Sequence, residues 1–271
     1  MNQNFAIGIV LYQPTRQIIE RIKEVSKTEY KFIIFDNSNY INQEINNLQN
    51  IFYFHSSVNI GLSGGIDYII NIAIKQDYPT LLNFDQDTFF TINTLNFIKS
   101  VYTEYITKNK LPNNLIAIGF RDYTNPRKYT SEGNRINKNF FDVDFTINSG
   151  SLYLLDHYHK FVWFRRDFFV DGLDYYFCIQ ANKNGYCIME HYETPDLNHT
   201  IEQGDSNLKI FKFIIKGRKY SLKRNFDFLK SHLKLLWLTI INLQPKHFSF
   251  IIKSLVFYLT TQILFNNKNR I

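Results

Sequence analysis

Cysteine is nearly absent from this chain. Its 271 residues include two, Cys178 and Cys187, and neither belongs to a CxxC pair. A disulfide scaffold and a thiolate zinc site are thereby set aside, and both thiols are expected as packed side chains in a reducing compartment. The opening MNQNFAIGIVLYQP has no basic stretch followed by a long apolar one, so no secretory signal is expected and the cytoplasm is the expected location. No helix-turn-helix, zinc-finger or RNA-binding motif occurs, so nucleic acid is not an expected partner. Internal repeats and low-complexity tracts are also missing.

Acid is scarce in one part of the chain only. From Ser206 to the end, 13 Lys and Arg stand against one acid, Asp227, a charge of +12. The first 205 residues hold the remaining 18 bases and 23 acids, −5, within a total of +7. This asymmetry predicts a catalytic domain over 1–205 and a basic, apolar helical extension over 206–271. Anionic lipid headgroups are the expected partner of such an extension. Its longest apolar stretch, Phe248–Phe265, is interrupted by Lys253, so a bilayer span is marginal. Phe248, Ile251, Ile252, Leu255, Leu259 and Ile263 share one helical face, the pattern of a helix lying in the membrane interface. The alternative is a packed extension or a homodimer surface formed by the same helices.

What is present is a substantial apolar fraction, 45%, enough for a sizeable core. Phe5–Leu11, Lys31–Phe35, Ile51–His55 and Thr80–Phe84 are short, largely β-branched or aromatic runs that predict buried strands. Thr15–Ser26 and Ser63–Ile74 carry apolar residues at helical spacing between them. Alternating strands and helices predict βαβ units and a mostly parallel sheet flanked by helices, an α/β fold of the Rossmann-like kind. Further strands are expected at Leu115–Gly119, Phe145–Leu155 and Gly185–Met189, with a loop over 121–140. A helix is expected over Phe168–Asn182, and helices from Phe211 onward.

Ligands bind such sheets outside the carboxyl ends of the strands, and polar residues gather there: Tyr12-Gln13, Asp36-Asn37-Ser38, Asn59 and Asp85-Gln86-Asp87. Two carboxylates one residue apart, Asp85 and Asp87, can hold a hard divalent cation that also binds a diphosphate. Asp36 can accept from a base or a ribose hydroxyl, or simply close an Asx turn. The turn Asn59-Ile60-Gly61-Leu62-Ser63-Gly64-Gly65 opens a helix and lets backbone N–H groups approach a phosphate, or it is a tight connection and nothing more. It is neither GxGxxG nor a P-loop. Asp171 and Asp174 share a face of the expected helix in the apolar stretch FFVDGLDYYFC. One is a general-base candidate, and the other, Asp171, reads as a helix-start acid. His199, in a loop after Pro195, can bind metal or phosphate, although a lone loop histidine more often takes no part.

These segments, in this order, resemble family-two inverting glycosyltransferases of the GT-A fold, especially the bacterial rhamnosyltransferase-like subgroup, over roughly residues 5–230. IGIVLYQP is similar to the opening strand that meets the nucleotide, IIFDNSN to VVDNGS, and NIGLSGGIDYIINIA to the glycine-rich segment. LLNFDQDTFF is similar to the metal-holding segment, and INSGSLYLLD to the strand facing the acceptor. FFVDGLDYYFCIQANKNGYCI, LNHTIEQGD and GRKYSLKRN are similar to later motifs of the family; each motif is loose, but eight in the right order make a specific set. The resemblance implies Asp174 as catalytic base, and Asp85, Asp87 and His199 as the Mg²⁺ or Mn²⁺ and diphosphate site. It implies Tyr12, Asp36, Asn59, Gly61 and Gly64 on the donor, a dTDP- or UDP-sugar. Asn148, Ser149, Gly150 and Asp171 fall on the side of a lipid-linked or oligosaccharide acceptor. Asp67 stands where the family usually has Asn, Leu173 where many members have Glu, and Tyr176 where the subgroup has an acid. A nucleotidyltransferase would also use a nucleotide crevice and a metal-binding acid pair, but the segment after the first strand, Tyr12–Arg16, has no glycine. A non-catalytic glycan- or membrane-binding protein of the same fold is the remaining alternative.

Overall fold

A computed structural model of the chain describes residues 5–108, 110–122, 140–199, 206–210, 213–217 and 220–267. The chain divides into two compact units, residues 1–199 and 200–271.

In the first unit the apolar runs become strands; Ala6–Leu11 and Phe32–Asp36 are buried on both faces, whereas Ile51–His55, expected as a buried strand, is half-buried at the sheet edge. The chain runs β1 (Ala6–Leu11), α1 (Arg16–Val25), β2 (Phe32–Asp36), α2 (Gln43–Asn46), β3 (Ile51–His55), α3 (Gly61–Lys75) and β4 (Thr80–Asp85). A two-residue β5 (Thr88–Phe89) and α4 (Ile92–Val101) follow. Next come β6 (Leu115–Phe120), β7 (Phe140–Val143), β8 (Ser151–Leu154), α5 (Leu173–Lys183), β9 (Cys187–His191) and β10 (Asn198–His199). Helix α1 starts where Thr15 accepts from the Ile18 backbone N–H, and it buries Ile19, Ile22 and Val25. On α3, Ile66, Ile69, Ile70 and Ala73 are buried.

The main sheet has eight strands in the order β3-β2-β1-β4-β8-β6-β9-β7. β3, β2, β1 and β4 are mutually parallel, as are β6 and β9. β8 lies antiparallel between β4 and β6, and β7 antiparallel on β9. The parallel half puts the carboxyl ends of β1, β2, β3 and β4 on one edge, which is where the sequence concentrates its polar residues.

Three elements differ from expectation. Of Phe145–Leu155, only Ser151–Leu154 is strand. The preceding residues turn because Gly150 adopts φ +71° and its backbone is claimed by Asn83 and Phe120, at 2.8 and 2.7 Å. Phe140–Val143 is a strand that was not expected, and Phe140 alone of it falls in the expected loop over 121–140, of which residues 123–139 lie outside the described residues. Helix α5 begins at Leu173, five residues later than the pattern suggests, because Gly172 precedes it in the left-handed region at φ +82°. Asp171 is therefore outside the helix and shares no helical face with Asp174.

The described residues of the second unit begin with an antiparallel strand pair, β11 (Ser206–Ile210) and β12 (Phe213–Gly217), and β12 stands where helix was expected from Phe211. The β-branched pair Ile214-Ile215 favours extended chain there. Two helices follow, α6 (Leu222–Ile241), capped by Ser221 accepting from the Arg224 N–H at 3.2 Å, and α7 (Pro245–Asn267).

Candidate active site

The candidate site lies at the ends of β1 and β4 and the turn before β8. The Tyr12 and Gln86 segments clasp each other: the Tyr12 N–H donates to Gln86 Oε1 at 2.9 Å, and Gln86 Nε2 donates to the Tyr12 carbonyl at 3.2 Å. Tyr12 is 45% exposed. Asp85, Gln86 and Asp87 are half-buried. Arg21, reaching in from α1, donates to the Gln86 carbonyl. Burial pulls its guanidinium below the ordinary value, and the charge of Asp87 opposes that shift.

Asn148 joins two of the acids. Its side-chain amide donates to Asp85 Oδ1 at 3.2 Å, and its backbone N–H donates to Asp174 Oδ1 at 3.1 Å. Its own oxygen accepts from the Tyr153 hydroxyl at 2.9 Å. Next to it, Ser149 Oγ accepts from the Asp85 backbone N–H at 3.0 Å and pairs with Thr88 Oγ1 at 2.6 Å. Carboxylates from distant parts of the chain are thus hung from one residue of a third segment. Asp174 lies in the first turn of α5, where the helix dipole favours negative charge. The helix-start position that the sequence suggested for Asp171 therefore belongs to Asp174.

Beneath this turn lies a residue that no sequence pattern singles out. Arg121, just beyond β6, is 5% exposed. Its Nε donates to Glu190 Oε1 at 2.8 Å, and Nη1 donates to the carbonyls of Phe120 and Ser149 at 2.7 and 3.1 Å. Nη2 donates to Thr146 Oγ1 and, at 3.1 Å, to the Ile147 carbonyl. All five guanidinium donors are used, and two of them grip the backbone on either side of Asn148. Glu190 is satisfied in turn by Thr146 Oγ1 at 2.9 Å and the Tyr192 hydroxyl at 2.8 Å.

Other expected site residues are placed differently. Asp36 is wholly buried, with one oxygen accepting from the Ser38 N–H at 2.9 Å and the other from the Tyr53 hydroxyl at 2.7 Å. Burial and that bond push the Tyr53 hydroxyl up. Asp36 closes the turn and offers no surface to a base. Asn37 bridges the same turn to α3, accepting from the Ile60 N–H and donating to the Gly61 carbonyl at 3.0 and 3.1 Å. Asn59 accepts from the Gly61 N–H at 2.8 Å. Gly61 and Gly64 are buried, and the space beside them is filled by Phe169 and Ile60. These glycines serve the strand-to-helix connection, the second of the two readings given for this turn. At Gly61, φ is +79° and a Cβ would sit 2.5 Å from the Phe169 carbonyl oxygen. Gly61→Ala is therefore expected to destabilise the first unit by about 1–3 kcal/mol through overpacking and left-handed strain. A denaturant midpoint unchanged from wild type would refute this. His199 pairs through its backbone with Thr88, one residue beyond Asp87; its side chain lies outside the described residues.

Among the described residues, no group of three or more His, Cys, Asp and Glu side chains converges as a metal site. A hard cation needs oxygen ligands, and Mg²⁺ typically takes only one or two carboxylates when a substrate supplies phosphates. Asp85 and Asp87 fit that arrangement and do not fit an all-protein cage.

No protein-family model matches the chain, and a sequence comparison with curated proteins finds no match. Its fold is the GT-A, Rossmann-like α/β arrangement. Solved structures with similarity to it include S. aureus TarS 1–349, 14% identical, covering 92% of this chain and 71% of that one with a TM-score of 0.55. Another is mannose-1-phosphate geranyltransferase from Thermus thermophilus, 6% identical, covering 73% and 76%, with a TM-score of 0.47. At 14% identity the likeness to TarS extends to the fold alone, and the second is too loose to carry an argument.

Proposed function

We propose that this chain is an inverting glycosyltransferase that moves a sugar, rhamnose or another hexose, from a dTDP- or UDP-sugar to a hydroxyl of a surface-glycan acceptor. The observation that carries this reading is Asn148, which ties the strand-end acid pair at Asp85 to the helix-start acid Asp174. A leaving-group site and a proton acceptor held at fixed spacing, one on each side of the reacting carbon, favour such a displacement.

In this reading Tyr12 presents its exposed ring to the nucleotide base. Asp85 and Asp87 would hold a Mg²⁺ or Mn²⁺ ion, which when bound would supply charge neutralisation for the departing nucleoside diphosphate. Asp174 takes the proton from the acceptor hydroxyl. The acceptor oxygen bonds to the anomeric carbon as the bond to the diphosphate oxygen breaks on the opposite face, its electron pair leaving with the diphosphate. Configuration inverts, and no Ser or Cys nucleophile is needed. Ser149 and Gly150 shape the acceptor side, where Asp171 lies just before α5.

The test is a panel of nucleotide-sugars incubated with the chain and Mn²⁺, reading released nucleoside diphosphate. One donor is expected to be hydrolysed, and excess chelator is expected to stop it. Asp87→Ala is expected to weaken nucleotide-sugar binding chiefly when metal is present. No hydrolysis of any donor would overturn the transferase reading. Full activity in chelator would remove the cation from it and leave Arg21 as the positive charge beside the diphosphate.

A further inference from the structure

The helical hairpin of the second unit has its polarity reversed. Of the nine side chains buried on α6 and α7 among the described residues, six are polar: Ser231, His232, Thr239, His247, Thr261 and Gln262. Polar and aromatic groups also join the two helices. His232 Nε2 pairs with Ser254 Oγ at 3.2 Å, and the Tyr258 hydroxyl donates to Asn225 Oδ1 at 2.7 Å. The Phe228 and Tyr258 rings stack at 3.6 Å.

The large apolar side chains are outside. On α6, Leu222, Phe226, Leu233, Trp237 and Ile240 are exposed, between 52% and 87%. Their spacing puts them on one stripe. On α7, Ile252, Val256, Leu259 and Ile263 are exposed and form a second stripe. Lys223, Lys230 and Lys234 follow about a quarter-turn round α6 from its stripe, and Lys246 and Lys253 do the same on α7. Asp227 is the only acid in the two helices. Residues Pro245–Phe265 are also long and apolar enough to cross a membrane by length and composition.

We propose that the α6–α7 hairpin is a membrane-binding element that lays its exposed apolar side chains into the headgroup–acyl boundary of an anionic bilayer. Water does not favour an arrangement that buries hydroxyls and imidazoles while exposing Trp, Phe and Leu. A bilayer interface does: it takes the apolar stripes, lets the bordering lysines reach phosphate, and leaves the polar seam between the helices satisfied. A second copy would cover the stripes but would offer the bordering lysines no complementary charge beyond Asp227. Anionic headgroups complement those lysines. Membrane binding of this kind does not depend on the chemistry of the first unit.

The test uses the full chain with vesicles of phosphatidylglycerol and phosphatidylcholine in equal parts, and with phosphatidylcholine alone, at low salt. Binding to the anionic vesicles is expected to be at least roughly tenfold stronger and to weaken as salt is raised. The emission of Trp237, which is 66% exposed, is expected to move to shorter wavelength on binding, while Trp163, which is 0% exposed, stays silent. The double variant Phe226→Asp, Val256→Asp changes two exposed positions and is expected to lose co-sedimentation while keeping its circular dichroism and donor hydrolysis. The proposal is overturned if the full chain stays in the supernatant with anionic vesicles, or if the double variant binds as well as wild type. A dimer by light scattering that the double variant dissolves, without vesicle binding, would assign the stripes to a second copy instead.

Discussion

Asp174→Asn is expected to lower sugar transfer by about 10²–10⁴-fold while leaving donor binding and stability nearly unchanged. The substitution keeps an oxygen that can accept the Asn148 backbone N–H, the bond that Asp174 Oδ1 makes at 3.1 Å, so the turn over the site stays anchored. It removes the charge in the first turn of α5, which costs about 0.3–1 kcal/mol. It also removes the only feature an amide cannot replace, the capacity to take a proton from a hydroxyl. The loss therefore belongs in kcat and not in donor affinity or the melting temperature. Single-turnover transfer, donor titration and thermal unfolding of the same preparation separate these. Turnover within a few-fold of wild type would remove Asp174 from the mechanism, whatever the donor proves to be.

Much of the fold was legible because it rests on local patterns. AIGIVL, FIIFD, IFYFH and TLLNFD are apolar runs short enough to be strands, and each forms one, with ends within a residue of the expected place. The acid pair was legible for the same reason, as it follows immediately on an apolar strand. The start of α5 was not, because FFVDGLDYYFC is apolar on both sides of Gly172 and no change of periodicity marks the turn. The strand Phe213–Gly217 lay in a stretch whose bases and apolar residues suit a helix equally well.

At the site, sequence found residues better than it found roles. Asp36 stands where a nucleotide-binding acid is expected, yet Tyr53, 17 positions away, takes one of its oxygens and turns it inward. The glycines of the Asn59–Gly65 turn do mark places of close approach, as their spacing suggests. What approaches Gly61 is the chain itself, at Phe169. In both cases the deciding partner comes from another segment, and no local spacing reveals it. Arg121 is the clearest case, since it opens a polar stretch that reads as surface loop and its ionic partner Glu190 is 69 positions away.

Arg121→Met is expected to be the most destabilising of these substitutions, by about 3–5 kcal/mol, because it leaves Glu190 buried and uncompensated. Glu190 is 1% exposed and would keep only the Thr146 and Tyr192 hydroxyls. Replacing both residues, Arg121→Met with Glu190→Met, removes the unpaired charge and is expected to recover much of that stability, since buried ion pairs exchanged for apolar groups are often close to neutral. Activity is expected to behave differently. The Arg121 donors that hold the Ile147 and Ser149 carbonyls are absent from the double variant as well, so Asn148 is no longer fixed from both sides. The spacing of Asp85 and Asp174 then loosens, and a displacement of about 1 Å at a reacting geometry can cost on the order of 10²-fold in rate. The double variant should therefore melt near wild type, bind donor near wild type and turn over poorly. Arg121→Lys, which keeps the charge but offers three donors in place of five, should fall between them in rate. If turnover recovers in step with the melting temperature in the double variant, Arg121 supports the fold alone. If turnover stays low in a stable protein, the guanidinium is what holds the two carboxylates at working distance.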